Sequence, residues 1–373
     1  VAEREHADVA IIGAGIAGAG VAAMLRGRAR TILLEAEDRP GHHATGRSAA
    51  MYLRNYGNAP IRALTRASAA DFEAPPAEWG CGELLSPRGL LYVADAGGRP
   101  ALDAALAVGE DLAELTPAEA AAMVPILRAE LLSGAAFERD GRDIDVDALH
   151  QAWLRLFRRE GGEIAGRAPV SRIERADGAW RIDAGARRIE AAVVVNAAGA
   201  WADEVARMAG ARPAGITPMR RSMAVLPAPE IPGFDRWPLI ADIGEGWYAK
   251  PQSGALLVSP AEEDPVAPHD AFADDMTLAE GLDRFARATT HEVTRVTRTW
   301  AGLRSFAPDR TPVVGFDPAA EGFFWLAGQG GYGIQTAPAM SRLAAALILR
   351  APGEQPVDAA TVAALSPARF HAS

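Results

Sequence analysis

The sequence predicts an α/β fold built from two interleaved parts, and three observations carry that prediction. The first fifty residues run strand, glycine turn, helix, strand. The same alternation returns near residues 190 and 325, and the stretches between hold short strand-like runs without it. In order, Asp8-Val-Ala-Ile-Ile12 is an apolar run, Gly13 to Gly18 a turn, Ala19 to Leu25 a helical stretch and Thr31-Ile-Leu-Leu-Glu35 a second run. Two short strands joined through a helix need a right-handed crossover, which sets them parallel and adjacent. Asp147 to Arg159 reads as an amphipathic helix with Leu149, Trp153, Leu156 and Phe157 on one stripe, stopped by Gly161-Gly162. Val193 to Asn196 and the helical Asp203 to Ala209 add a further strand and helix to the same sheet. Gly322 to Ala327, Gln329 to Ile334 and Thr336 to Leu349 add another strand, turn and helix.

The segments Leu84 to Arg142 and Pro218 to Trp300 contain the runs Leu90 to Val93, Ser222 to Leu226 and Gly254 to Ser259, which suit a β-rich second part. The expected division is 1–83, 144–217 and 303–373 for a discontinuous nucleotide-binding domain, and 84–143 and 218–302 for the other, substrate-binding one.

A chain of 373 residues is long enough for two such domains, at the usual figure of about 150 residues each. Its net charge of −10 argues against nucleic acid as a main partner and disfavours acidic membranes, since both need a concentrated basic surface. The single cysteine, Cys81, excludes an internal disulfide or a cysteine-rich metal site and fits a reducing compartment. Cytoplasm is the expected location, with peripheral association at an inner membrane if a quinone takes the electrons. Val9 to Leu25 is uncharged for seventeen residues, but its four glycines and the acidic residues before it argue for a nucleotide loop over a signal peptide or a membrane span. The histidines show no i,i+4 pair and no carboxylate at ligand spacing, so no metal is expected. Asp143-Ile-Asp-Val-Asp147 lacks the glycine and distal glutamate of a calcium loop and is expected to cap the helix that follows.

Gly13-x-Gly15-x-x-Gly18 lies between a strand and a helix, and Glu35 closes the next strand seventeen residues later. The first glycine permits the tight turn, the second admits a pyrophosphate, and the third lets the helix pack on the strand. The helix start then offers unpaired N–H groups to phosphate. Glu35 suits ribose hydroxyls and disfavours a 2′-phosphate, which leaves NAD and FAD. Gly13, Gly15, Ile16, Ala17, Gly18, Glu35 and Ala36 are the candidate dinucleotide contacts.

Gly41-His-His-Ala-Thr-Gly-Arg-Ser-Ala-Ala50 resembles the segment after the second strand in the D-amino acid oxidase-like (DAO) family of FAD-dependent oxidoreductases, which includes glycine oxidase and sarcosine oxidase. The resemblance extends to Asp145-Val-Asp147, Asn196-Ala-Ala-Gly-Ala-Trp201, Trp300-Ala-Gly-Leu-Arg304 and Gly330-Gly-Tyr-Gly-Ile-Gln335, and so covers nearly the whole chain. Within the family it is most continuous with the D-arginine-acting dehydrogenases, at Thr45 to Ala50, Trp300 to Phe306 and Gln329 to Thr336. It implies a Rossmann-like FAD-binding domain of the DAO type with an interleaved β-rich α+β substrate domain. It also implies non-covalent FAD, because Cys81 lies in the wrong third of the chain for the covalent link of sarcosine oxidase-like members. The implied cofactor contacts are Thr45, Gly46, Arg47, Ser48, Ala49 and Ala50 near the ring, Val170 at the adenine, and Ala198, Gly199, Trp201 and Gly302. Arg304, Gly330, Gly331, Tyr332, Gly333, Ile334 and Gln335 complete the set. A glycine turn before a helix also suits the pyrimidine end of a flavin, which collects negative charge on reduction.

On the substrate side the resemblance implies Arg304 and Arg221 as carboxylate clamps, with Tyr56 and Tyr248 on the pocket wall. The planar guanidinium holds both carboxylate oxygens, and a phenol supplies an apolar wall with a donor. Glu245 is carried over to a covering loop, and Gly331 and Gln335 to substrate or flavin contact. Two positions depart from the D-arginine-acting pattern: Leu90 stands where a glutamate pairs with the guanidinium, and Met51 where a histidine lies in the active site. Both changes remove polarity, so the expectation is oxidative deamination of D-amino acids, apolar ones above D-arginine. Hydride would pass from Cα to flavin, and the imino acid would hydrolyse to a 2-oxo acid and ammonia. Glycine- or sarcosine-type amine oxidation and a flavin-binding protein without turnover are the alternatives. The electron acceptor is left open between oxygen and a quinone.

Overall fold

The computed structural model describes residues 4–371. Its first strand, Glu5–Ile12, is buried over its second half, as expected of a strand covered on both faces. It pairs in parallel with Thr31–Leu34 on one side and with Arg187–Asn196 on the other. Between the first two strands the ten-residue helix Ile16–Leu25 makes the crossover, so the uncharged segment from Val9 divides into strand, glycine turn and helix. No helix among the described residues is long and apolar enough to cross a membrane.

The strand Arg187–Asn196 organises this sheet. Its first half pairs antiparallel with Ala179–Ala184, which pairs with Val170–Ala176, and its last residues pair in parallel with Phe323–Ala327. Phe323–Ala327 also carries Val313–Phe316, and Glu163–Ala165 closes the far edge beyond Thr31–Leu34, giving eight strands. The tip of the Val170–Ala184 hairpin is Asp177-Gly178, both at positive φ, as a tight turn between twisted strands requires. The helices Val146–Arg159 and Ala337–Ile348 pack against Ile16–Leu25, and glycine makes this closeness attainable: a Cβ at Gly20 would lie 2.1 Å from Ser341 Oγ. Asp145 caps the helix Val146–Arg159 through Ala148 N–H at 2.8 Å.

A second, nine-stranded sheet lies beside the first. At one end of it Thr217–Pro227 pairs antiparallel with the edge strand Arg298–Phe306 over nine residues, from Thr217 opposite Phe306 to Val225 opposite Arg298. Asp264–Pro265 also pairs with Thr217–Pro227, and the remaining strands run from Ala255–Ser259 through Tyr248–Gln252, Leu239–Asp242, Leu90–Ala94 and Gly134–Glu138 to Leu112–Leu115. The helix Asp275–Ala288 covers this sheet through Leu278 and Phe285. Asp203 ties the two parts together: its buried carboxylate accepts from the N–H groups of Ala214, Gly215 and Ile216 at 2.9–3.1 Å, where the chain leaves one sheet for the other.

Candidate active site

A continuous cavity of about 480 Å³ runs along the seam between the two sheets. The glycine turn forms one wall with Gly13, Gly15, Ile16 and Ala17. Gly13 adopts φ +100°, and a Cβ there would lie 2.4 Å from the Ala197 carbonyl. Gly18 sits behind the wall, where a Cβ would meet the Gly13 carbonyl at 1.8 Å, so its part is packing. The helix start has no side-chain cap. Glu35 is buried and held from both sides: Oε2 accepts from Ala14 N–H and Oε1 from Glu37 N–H, each at 3.0 Å, and each oxygen keeps a lone pair for a further donor. His150 Nε2 donates to the Ala14 carbonyl at 2.9 Å, and burial lowers the pKa of that imidazole, which keeps it neutral.

Thr45, Arg47, Ser48 and Ala49 line the same cavity. Thr45 Oγ1 accepts from Ile16 N–H at 3.0 Å and locks this loop to the glycine turn. Ala36, Val170, Ala198, Gly199 and Trp201 line it beside Glu35, and Gly302, Gly330, Gly331, Gly333 and Ile334 beside Arg304.

Besides Gly18, four expected cofactor contacts lie outside the lining, for visible reasons. Gly46 donates to the Gly41 carbonyl at 2.9 Å and has no room for a Cβ there. Ala50 packs beside Tyr52 and Leu84. Tyr332 turns its ring to Tyr56, 4.7 Å away between centroids. The Gln335 amide is committed to Leu53 N–H and Thr65 Oγ1, at 3.3 and 3.0 Å.

Arg221 lies opposite Gly302 and Arg304 opposite Met219, so the two arginines are diagonal neighbours on one face, about 7–8 Å apart at the backbone. Their surroundings differ. Arg221 donates to the Glu262 carbonyl at 2.9 Å and pairs with Glu263 at 3.2 Å. Arg304 donates to the Tyr56 hydroxyl at 3.3 Å, and among the described residues no carboxylate lies within ion-pairing distance of it. Gly331 lies against it, where a Cβ would be 3.0 Å from Arg304 Nη1 and 3.1 Å from Tyr56 Oη.

A second cavity, about 310 Å³, shares Arg221 and Tyr248 with the first. Tyr56, Tyr92, Leu112 and Trp247 form much of its wall, and Glu245 stands at the tip of the hairpin beside it, exposed and at φ +58°. Met51 and Leu90 reach neither cavity. They pack with Leu53 and Leu239 behind Tyr56, Tyr92 and Tyr248, so they bear on the pocket only through the tyrosines. Glu138 pairs across from Leu90 and is buried, and its Oε1 accepts from Arg54 N–H at 2.8 Å; burial pushes its carboxyl pKa up. It supports the turn that carries Tyr56.

Sequence reading passed over Glu37, His42, His43, His269 and Ala271, all of which line the larger cavity. His42 and His43 stood within the segment that resembles the family; nothing local marks His269 or Ala271. Linear spacing does not show it, but the fold brings ligand atoms of Glu37, His42 and His43 within 4.8 Å of one another. Arg47 Nη2 lies 3.3 Å from His42 Nε2, and a guanidinium that close opposes a cation, so the group is an ion-pair network. Cys81 packs with Trp79 and Trp153, away from both cavities.

The comparisons agree with this geometry. Residues 8–347 match the family model described as DAO, FAD dependent oxidoreductase. The chain belongs to that family. Its cofactor is therefore FAD, and the structure fits it: the glycine turn packs so closely on its neighbours that Gly13 and Gly18 have no room for a Cβ, an uncapped helix start faces the cavity, and a fixed carboxylate stands at the end of the second strand.

The chain is 32% identical over 177 residues to FAD-dependent oxidoreductase domain-containing protein 1 of Bos taurus, covering 43% of this chain and 36% of that one. It is 27% identical over 238 residues to mitochondrial sarcosine dehydrogenase of Homo sapiens, covering 58% and 25%. It thus spans about a third or less of these curated relatives' length. Among solved structures, glycine oxidase from Geobacillus kaustophilus superposes with a TM-score of 0.83 at 25% identity, covering 97% of this chain and 98% of that one. L-proline dehydrogenase from P. horikoshii gives 0.83 at 20%, covering 99% of each, a likeness of fold.

Proposed function

We propose that this member of the family oxidises amino acids, taking D-amino acids with apolar side chains in preference to D-arginine. The observation that carries the reading is Arg304: a guanidinium in the wall of the cofactor cavity, hydrogen-bonded to the Tyr56 phenol and lying against Gly331, with no carboxylate among the described residues within ion-pairing distance. Desolvated cations are unfavourable without an anion, and the planar fork fits a carboxylate in two parallel hydrogen bonds. Arg221 and Tyr248 lie on the same seam to complete the clamp.

When bound, FAD supplies the acceptor for the hydride that leaves the substrate Cα. The protein's part is to orient and enclose. Arg304 fixes the carboxylate and with it the position of Cα. Tyr56 holds Arg304 in place. The aromatic wall of the second cavity receives the side chain and excludes water, and Met51 and Leu90 back that wall with apolar atoms. The 2-oxo acid and ammonia follow from hydrolysis of the imino acid in water. The expected domain division, with the glycine-turn sheet holding FAD and the nine-stranded sheet the substrate, is part of this proposal.

A second reading has its own support, since relatives named sarcosine dehydrogenase and glycine oxidase share this architecture. There the same clamp would hold the carboxylate while a secondary amine or glycine is oxidised. Turnover of D-leucine, D-arginine, L-leucine, glycine and sarcosine with an artificial electron acceptor separates the two, read by product. A 2-oxo acid with ammonia from D-leucine, and slower turnover of D-arginine, support the first. Formaldehyde from sarcosine with no turnover of D-leucine supports the second. Flavin binding without turnover of any of them would favour a binding protein.

A further inference from the structure

We propose that Asp270 is a clasp that retains the bound FAD, holding a strap from the nine-stranded side across the cofactor cavity. The chain between the strand Asp264–Pro265 and the helix Asp275–Ala288 comes back over the loop that carries Thr45 to Ala49, and its residues His269 and Ala271 line the cavity together with His42, His43 and Arg47 from that loop. Cavity walls on both sides of Asp270 make this segment a cover for whatever lies in the seam.

Asp270 is the point where the cover is fastened. Its carboxylate pairs with the Arg47 guanidinium, His42 Nε2 lies 3.3 Å from Oδ2, and His43 Nδ1 lies 3.8 Å from Oδ1. Arg47 extends the fastening by donating to the carbonyls of Ala271 and Ala301, at 2.8 and 3.0 Å. His43 is steadied from the other side by Glu37 at 2.9 Å and by the Trp201 ring, 4.7 Å between centroids. One carboxylate thus gathers three side chains of the cofactor loop. Two residues further on, Phe272 is 70% exposed, so the cover beyond the clasp is not buried in the fold. The Asp270 carboxylate is itself 61% exposed, and an exposed, multiply paired carboxylate suits a fastening that opens and recloses.

The inference rests on the assignment of FAD to this cavity, and its test separates the two. Holoprotein of the parent chain and of Asp270→Asn is diluted, and release of flavin is followed by the rise of free-flavin fluorescence. The expected result is release roughly threefold to tenfold faster for Asp270→Asn, the range for losing an exposed but multiply paired carboxylate. The apoprotein melting temperature should be unchanged, and Asp270→Glu should restore much of the parent rate. Added salt should speed release from the parent and have little effect on Asp270→Asn, because screening acts on the pairs the variant lacks. Release at the parent rate, or faster release matched by an equal loss of apoprotein stability, overturns the clasp. A parent that takes up no FAD overturns the cofactor assignment and the clasp with it.

Discussion

Replacing Arg304 by Met removes the carboxylate clamp and leaves most of the side-chain volume. Among the described residues Arg304 has one hydrogen bond, to Tyr56 at 3.3 Å, and no carboxylate partner, so few internal contacts are lost. What is lost lies toward the substrate. Two charge-assisted hydrogen bonds at about 1.5–3 kcal/mol each amount to about 3–6 kcal/mol. At about 1.4 kcal/mol per factor of ten, kcat/KM for an amino acid should fall by roughly 10² to 10⁴. Arg304→Lys keeps the charge and loses the fork, so about half of that free energy should remain. The assay is kcat/KM for D-leucine with an artificial acceptor, beside the same amine lacking its carboxylate, whose turnover should be far less sensitive to the change. The FAD content of the purified variants should match the parent. An Arg304→Met enzyme within about threefold of the parent on D-leucine, at full flavin content, would refute the clamp, since a single lost charge-assisted bond already exceeds that.

Gly331→Ala places a methyl group 3.0 Å from Arg304 Nη1 and 3.1 Å from Tyr56 Oη, and should raise KM for amino acids about tenfold with flavin retained, read by steady-state kinetics. Gly13→Ala, at φ +100° and 2.4 Å from the Ala197 carbonyl, should yield protein that takes up little or no FAD, read by visible absorbance after reconstitution. Asp203→Ala strands the buried N–H groups of Ala214 and Ile216 and should lower unfolding free energy by about 2–3 kcal/mol, read by urea denaturation. His150 has its pKa lowered by burial, so below its ordinary value of 6.5 the unfolded chain takes up a proton that the folded chain refuses. Stability should fall as pH drops below about 6.5, and a comparison with His150→Gln isolates this from the buried carboxyls Glu138, Asp203 and Glu262, whose raised pKa values act in the opposite direction.

The first βαβ unit was legible because its strands, covered on both faces, read as unbroken apolar runs and its glycines have fixed places. The helix Val146–Arg159 was legible by its apolar periodicity, and Ala337–Ile348, buried on nearly every side, by its place after a strand and a glycine turn. Arg298–Phe306 was not read as a strand: one of its faces borders the cavity, so Trp300, Gly302 and Arg304 interrupt the apolar pattern. Those residues stood out only by resemblance to a family. The Val170–Ala184 hairpin did carry a signal, the Asp177-Gly178 turn between alternating runs, which went unused. Met51 and Leu90 could be placed near the pocket, but not behind its tyrosines, because register across strands is invisible to a linear pattern. The meeting of Asp270 with Arg47, His42 and His43 joins residues more than two hundred positions apart, and no local rule anticipates it.

On the proposal above, this flavoprotein takes electrons from an amino acid held by Arg304. Anaerobic addition of D-leucine to the purified holoprotein tests it most directly. Loss of the oxidised-flavin absorbance band is expected, with little change from L-leucine and slower change from D-arginine. A band that persists with D-leucine and bleaches only with sarcosine would contradict it and move the reaction to secondary amines.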